Sequence, residues 1–141
     1  VNLAVSQVND CIYCLSAHTA IGKMNGFTDE QILELRAGYS SVNPKLDALA
    51  KLAKNTTENR GKTDATVLEN FFEAGYTKGN LVDVISLVGE KTISNYLHNT
   101  TIIDNRVTLE NNVSRTGEII IGIVVSFIES YMISRINDII F

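Results

Sequence analysis

The sequence predicts an all-α fold, a compact helical domain of about five to six helices, on three observations. Helix-opening chemistry recurs at Thr28-Asp29-Glu30-Gln31 and at Asn43-Pro44. Helix-stopping glycines follow at Asn25-Gly26, Gly38 and Gly75. Between them apolar residues return at three- and four-residue spacing rather than in alternation. With 45% hydrophobic and 20% charged residues over 141 positions, the chain can bury a core without disulfide or metal staples. A net charge of −4, with no Lys/Arg cluster interleaved with aromatics, argues against a nucleic-acid partner.

The elements follow in order. A first helix is expected over about residues 10–24, with Leu15, Ala17, Ala20 and Ile21 facing neighbours and Lys23 exposed. The second opens on a capping box, Thr28 as N-cap and Gln31 three positions on, and ends at Gly38. Asn43-Pro44 opens the third, because proline is tolerated where its missing N–H is not needed. Leu46, Leu49, Ala50 and Ala53 mark its apolar face, and polar residues 55–62, with Gly61, read as a connection. Thr63-Asp64 caps a fourth helix carrying Val67, Leu68, Phe71 and Phe72. Ala37-Gly38-Tyr39 and Ala74-Gly75-Tyr76 share one punctuation, a left-handed glycine followed by an apolar residue that packs back on the helix. A fifth helix starts near Asn80 and ends near His98, its Leu81, Val84, Ile85, Leu87, Val88, Ile93 and Leu97 apolar enough to be central. Gly89 within it allows close helix contact.

Reactive residue types gather in Cys11-Ile12-Tyr13-Cys14-Leu15-Ser16-Ala17-His18, which holds both cysteines of the chain and one of its two histidines. On a helix, Cys11 and Cys14 are i, i+3 and Cys14 and His18 are i, i+4, so all three share a face. Asn9 and Asp10 are preferred N-cap residues, and a helix opening there places the thiols in its first turn. Unpaired N–H groups and the helix dipole favour a thiolate at that end. At a rise of about 1.5 Å per residue, the two cysteine Cα atoms are roughly 5 Å apart, within disulfide reach. Cys11 and His18 are on the order of 10 Å apart along the axis, so the imidazole serves Cys14 more easily. This spacing assigns Cys14 as the attacking thiol, His18 as its proton acceptor or relay and Cys11 as the resolving thiol.

Blander readings compete for the same residues. A structural zinc site wants four ligands, and the only other histidine is His98, in a different context. A thioredoxin-type pair follows a β-strand, whereas residues 2–9 carry no clear strand signal. Two inert cysteines on a core helix are the ordinary alternative, set against the disulfide spacing and the histidine on the same face. No metal is expected, and no nicotinamide or flavin site is visible.

Ser6-x-x-Asn9-x-Cys11-x-Tyr13-Cys14-x-x-x-His18-Thr19 resembles the active-site segment of the AhpD-like alkylhydroperoxidases, within the carboxymuconolactone decarboxylase family. The likeness continues through Gly38, the helix after Pro44 and the Ala74-Gly75-Tyr76 turn to about Asn95. It implies a thiol-dependent peroxidase in which Cys14 reacts with a hydroperoxide, Cys11 closes the disulfide, and His18 relays the proton with an upstream glutamate. That glutamate has no counterpart, because in the family it lies further ahead of the first cysteine than this sequence reaches. Either the sequence is a fragment or the relay is incomplete. The resemblance also implies an external dithiol reductant of the lipoyl-bearing kind and a homo-oligomer, a trimer or hexamer. The wider family supplies two alternatives: a redox-sensing or binding module without turnover, and a decarboxylase-like enzyme without redox chemistry.

Residues 1–99 are thus expected to form the helical domain, and 100–141 a C-terminal tail. The tail is apolar and β-branched over 119–133, interrupted by Glu129. Its longest apolar run falls short of the roughly 20 residues a bilayer helix needs, so a helix packed on the domain or on a neighbouring subunit is expected rather than a membrane span, with a strand or a disordered tail as the other alternative. Two cysteines arranged as a redox pair suit a cytoplasmic setting, where such bonds are transient.

Overall fold

The computed structural model describes residues 1–108, with side chains through 100. Among these residues the protein is all-helical and contains no strand: α1 (Asn2–Val8), α2 (Ile12–Met24), α3 (Asp29–Ala37), α4 (Pro44–Glu58), α5 (Ala65–Glu73) and α6 (Lys78–Thr108). Val1–Tyr96 form one compact unit. The apolar stretch 119–133 and its expected packing lie outside the described residues.

Local chemistry explains most boundaries. Thr28 Oγ1 accepts the Gln31 N–H at 3.3 Å while Gln31 Oε1 accepts the Thr28 N–H at 2.9 Å, the reciprocal pair expected at the start of α3. The helix closes on Gly38 at φ 85°, with Tyr39 N–H reaching Glu34 O and Gly38 N–H reaching Leu35 O. A Cβ at Gly38 would also collide with the Lys54 side chain, whose Nζ donates to Ala37 O at 3.1 Å. In α4, Pro44 occupies the first position and Asn43 Oδ1 accepts the Leu46 N–H at 3.0 Å.

Two boundaries and the bonding at one cap differ from the sequence expectation. Residues 55–58 are helical rather than a connection, because their polar side chains find partners in place. Thr57 Oγ1 donates to Ala53 O at 2.7 Å, and buried Thr56 bonds Thr63 at 2.8 Å. Asp64 sits at the N-cap of α5 but makes no side-chain cap; its carboxylate accepts from Asn55 Nδ2 at 2.7 Å, while Asn55 Oδ1 accepts the Asp64 N–H at 2.9 Å. Helix α6 starts two residues before Asn80, behind a reciprocal Thr77–Asn80 pair, and continues past His98 to Thr108.

The two glycine stops behave differently. Gly75 is left-handed at φ 92°, and Tyr76 folds back to stack on Phe71 at 4.3 Å between ring centroids, its hydroxyl donating to Lys45 O at 3.2 Å. Tyr39, after Gly38, remains 43% exposed and does not repeat that packing.

The core is built on a helix the sequence reading did not assign. Short α1 packs against α2, α3 and α4, burying Leu3, Ala4, Val5 and Ser6, while α4 in turn packs on α5. Leu52, Ile32 and Phe71 are the largest apolar side chains sealed inside, and full burial of each contributes about 1.5–3 kcal/mol. Helix α6 turns Val84, Leu87 and Val88 inward, but Ile85, Ile93 and Leu97, expected to be central, lie exposed, as does Ile21 of α2. No described atom lies within 4 Å of a Cβ built at Gly89, so the close helix contact expected there is not made among the described residues.

Candidate functional site

The turn between α1 and α2 places the cysteines. Helix α1 ends with Asp10 N–H on Gln7 O at 3.3 Å and Cys11 N–H on Ser6 O at 3.0 Å. These are the two bonds of a Schellman closure, with Asp10 in the left-handed position at φ 52°. Asp and Asn visit that region more readily than other non-glycine residues. Asn9 and Asp10, expected as the N-cap of the next helix, instead end the preceding one, and Cys11 itself is the N-cap of α2. Its Sγ accepts the Cys14 N–H at 3.4 Å, so sulfur stands where a capping oxygen usually does.

Cys11 and Cys14 form a disulfide, with Cα atoms 5.3 Å apart. Both are buried, Cys11 0% and Cys14 4% exposed, and His18, one turn beyond Cys14, is 8% exposed. Cys14, Leu15 and His18 are the buried residues of α2, so Cys14 and His18 share its inward face. The residues between the cysteines point the other way: Ile12 is 75% and Tyr13 56% exposed. In the dithiol state, a thiolate at Cys11 would gain from the Cys14 N–H and from the positive end of the helix dipole.

Polar residues of α6 back this turn, and sequence reading did not single them out. Asn95 and Ser6 are fully buried, and Asn95 Nδ2 donates to Ser6 Oγ at 3.1 Å. Asn9 Nδ2 donates to Asn95 Oδ1 at 3.0 Å and to Thr92 Oγ1 at 3.4 Å. Lys91 and Ser94 are buried on the same side of α6. A signal was present: positions 84, 87, 88, 91, 94 and 95 continue one helical face from apolar into polar residues. His98 lies within α6 rather than at its end.

Among the described residues, no three His, Cys, Asp or Glu side chains cluster as metal ligands, and no helix is long and apolar enough to cross a membrane. A shallow groove between α4 and α5, lined by Pro44, Asp47, Lys51, Val67 and Asn70 among others, includes none of the site residues.

Residues 1–55 match the family model of the carboxymuconolactone decarboxylase family. That span holds the whole turn, the disulfide and His18, and it ends well before Asn95, to which the resemblance was expected to run. No curated protein and no solved structure matches the chain.

Proposed function

With residues 1–55 carrying the carboxymuconolactone decarboxylase family pattern, we propose that the protein is an AhpD-like thiol peroxidase that cycles Cys11 and Cys14 between dithiol and disulfide. The observation that carries the reading is the Cys11–Cys14 disulfide at the start of α2, with His18 one turn further on the same buried face. In the cycle, His18 takes the Cys14 proton and the thiolate attacks the terminal peroxide oxygen. The O–O bond breaks, Cys14 becomes a sulfenic acid, and the leaving alkoxide takes the relayed proton and departs as an alcohol. The Cys11 thiol then displaces hydroxide from Cys14 sulfur, releasing water and forming the disulfide. An external dithiol, of the lipoyl-bearing kind, reduces it and is itself oxidised to a disulfide. A reducing compartment such as the cytoplasm fits a bond that must be remade each turnover. A homo-oligomer, a trimer or hexamer, is part of the same proposal.

The test is peroxide consumption by the full chain with cumene hydroperoxide and dihydrolipoamide. The reading expects turnover that vanishes in Cys14→Ser and stops after a single sulfenic acid in Cys11→Ser. Unchanged turnover in Cys14→Ser would refute it. The near-complete burial of both sulfurs favours one second reading, a redox-sensing module. Such a module would form the disulfide with peroxide but sustain no consumption with any dithiol donor. A decarboxylase-like enzyme would be indifferent to both substitutions.

A further inference from the structure

We propose that Asn95 is a positioning residue for the Cys11–Cys14 pair, holding from α6 the turn that delivers Cys11. The proposal rests on the redox reading of the pair, but not on peroxide as the substrate. Ser6 is the point of transfer. Its carbonyl accepts the Cys11 N–H at 3.0 Å, and its hydroxyl accepts from Asn95 Nδ2 at 3.1 Å. The other end of the same carboxamide, Oδ1, accepts from Asn9 Nδ2 at 3.0 Å, and Asn9 is the residue on which α1 ends. One side chain therefore grips the turn twice, at the residue that anchors Cys11 and at the helix end just before it.

The chemistry of the position argues for placement over bulk stability. Asn95 and Ser6 are both 0% exposed, on a face where α6 also buries Val84, Leu87 and Val88 and, nearer Asn95, Lys91 and Ser94. Replacing a buried hydrogen-bonded pair by apolar groups of the same shape is often nearly neutral, so packing alone does not call for an amide there. A directional bond does what an apolar contact cannot, and fixes the rotation and register of the turn. Closing the disulfide requires Cys11 Sγ to meet Cys14 Sγ. A turn held in the closing geometry raises the effective concentration of one sulfur at the other. Released from Asn95, Cys11 samples more positions and the disulfide forms less favourably.

The experiment equilibrates the full chain with glutathione, in the balanced exchange of protein dithiol plus oxidised glutathione for protein disulfide plus two reduced glutathiones. Variants are Asn95→Ala and Ser6→Ala, with Leu87→Ala as a control that weakens the same face about two helical turns before Asn95 and leaves these hydrogen bonds in place. The equilibrium constant should fall about tenfold in Asn95→Ala and Ser6→Ala, about 30 mV for this two-electron couple. It should stay within about twofold in Leu87→Ala, because general loosening of the core moves stability rather than thiol placement. Constants unchanged in both turn variants, or an equal fall in Leu87→Ala, would overturn the proposal. Should Asn95→Ala lose its helical circular dichroism, Ser6→Ala, which removes one hydroxyl, decides by the same criterion. Peroxide turnover is not read, so the two ideas fail separately. A protein without peroxidase activity that shows the shift keeps this inference, and an active peroxidase without it loses this inference alone.

Discussion

Asp47 offers a quantitative test of how the α3–α4 connection is held. Its Oδ1 accepts the N–H of buried Ser40 at 3.0 Å and its Oδ2 accepts Lys51 Nζ at 2.6 Å. Asp47→Asn keeps a carbonyl oxygen for Ser40 and loses the ion pair. That pair is an i, i+4 contact with the Lys51 side chain 55% exposed, and such pairs contribute about 0.3–0.5 kcal/mol. The lost charge in the first turn of α4 adds about 0.3–1 kcal/mol, for a total of about 0.6–1.5 kcal/mol. Asp47→Ala also strands the Ser40 N–H, a further 1–3 kcal/mol or so. Urea unfolding monitored by circular dichroism should therefore rank wild type above Asn and Asn above Ala, with the second gap the larger. Equal destabilisation by Asn and Ala would refute the role given to Ser40. The pH dependence carries a sign. Partial burial pushes the Asp47 carboxyl up, but the Lys51 hydrogen bond, the Ser40 N–H and the Lys51 charge outweigh it and leave it below its ordinary value. A carboxyl lowered by folding stabilises above its unfolded pKa, and the contribution is lost as pH falls through the lower folded value. Asp47→Asn should thus reduce the acid sensitivity of stability below about pH 4.

Two further outcomes follow from positions of unusual backbone or burial. Asp10 holds φ 52°, so Asp10→Gly should leave stability unchanged or raise it by up to about 1 kcal/mol. Asp10→Val should lower it by about 1–2 kcal/mol, and chemical denaturation of the pair checks the order. Phe71 is 0% exposed and stacked on Tyr76, so Phe71→Ala should lose about 3–5 kcal/mol in the same assay. A loss under about 1 kcal/mol would contradict the packing of α5.

Much of the helical order was legible because single residues carry it. The Thr28–Gln31 box, Asn43-Pro44 and the left-handed glycines act through bonds to neighbours in sequence, which no tertiary partner needs to supply. Helix α1 was not legible, since seven residues give too few turns for a period to show. What makes it a helix is burial against α2, α3 and α4. Asn9-Asp10 was misassigned for a chemical reason: the same side chains that cap a helix start also tolerate the left-handed end of another. The Cys11, Cys14 and His18 grouping was legible from spacing. Its support was not, because Asn95 meets Ser6 only once the chain has folded across 89 positions.

Cys11 is both the last link of one helix closure and the first of the next, and this leaves α1 and α2 no slack between them. Both cysteines are buried, so a reagent can meet the sulfurs only when this junction opens, in one of two ways. Either both helices swing as one body, or the opening coil of α2 comes undone while α1 stays docked. The first would break the packing of α1 on α3 and α4, which the second leaves in place. Access to the pair is then governed by fraying of a single turn, a local event that can be frequent while the rest of the domain stays shut.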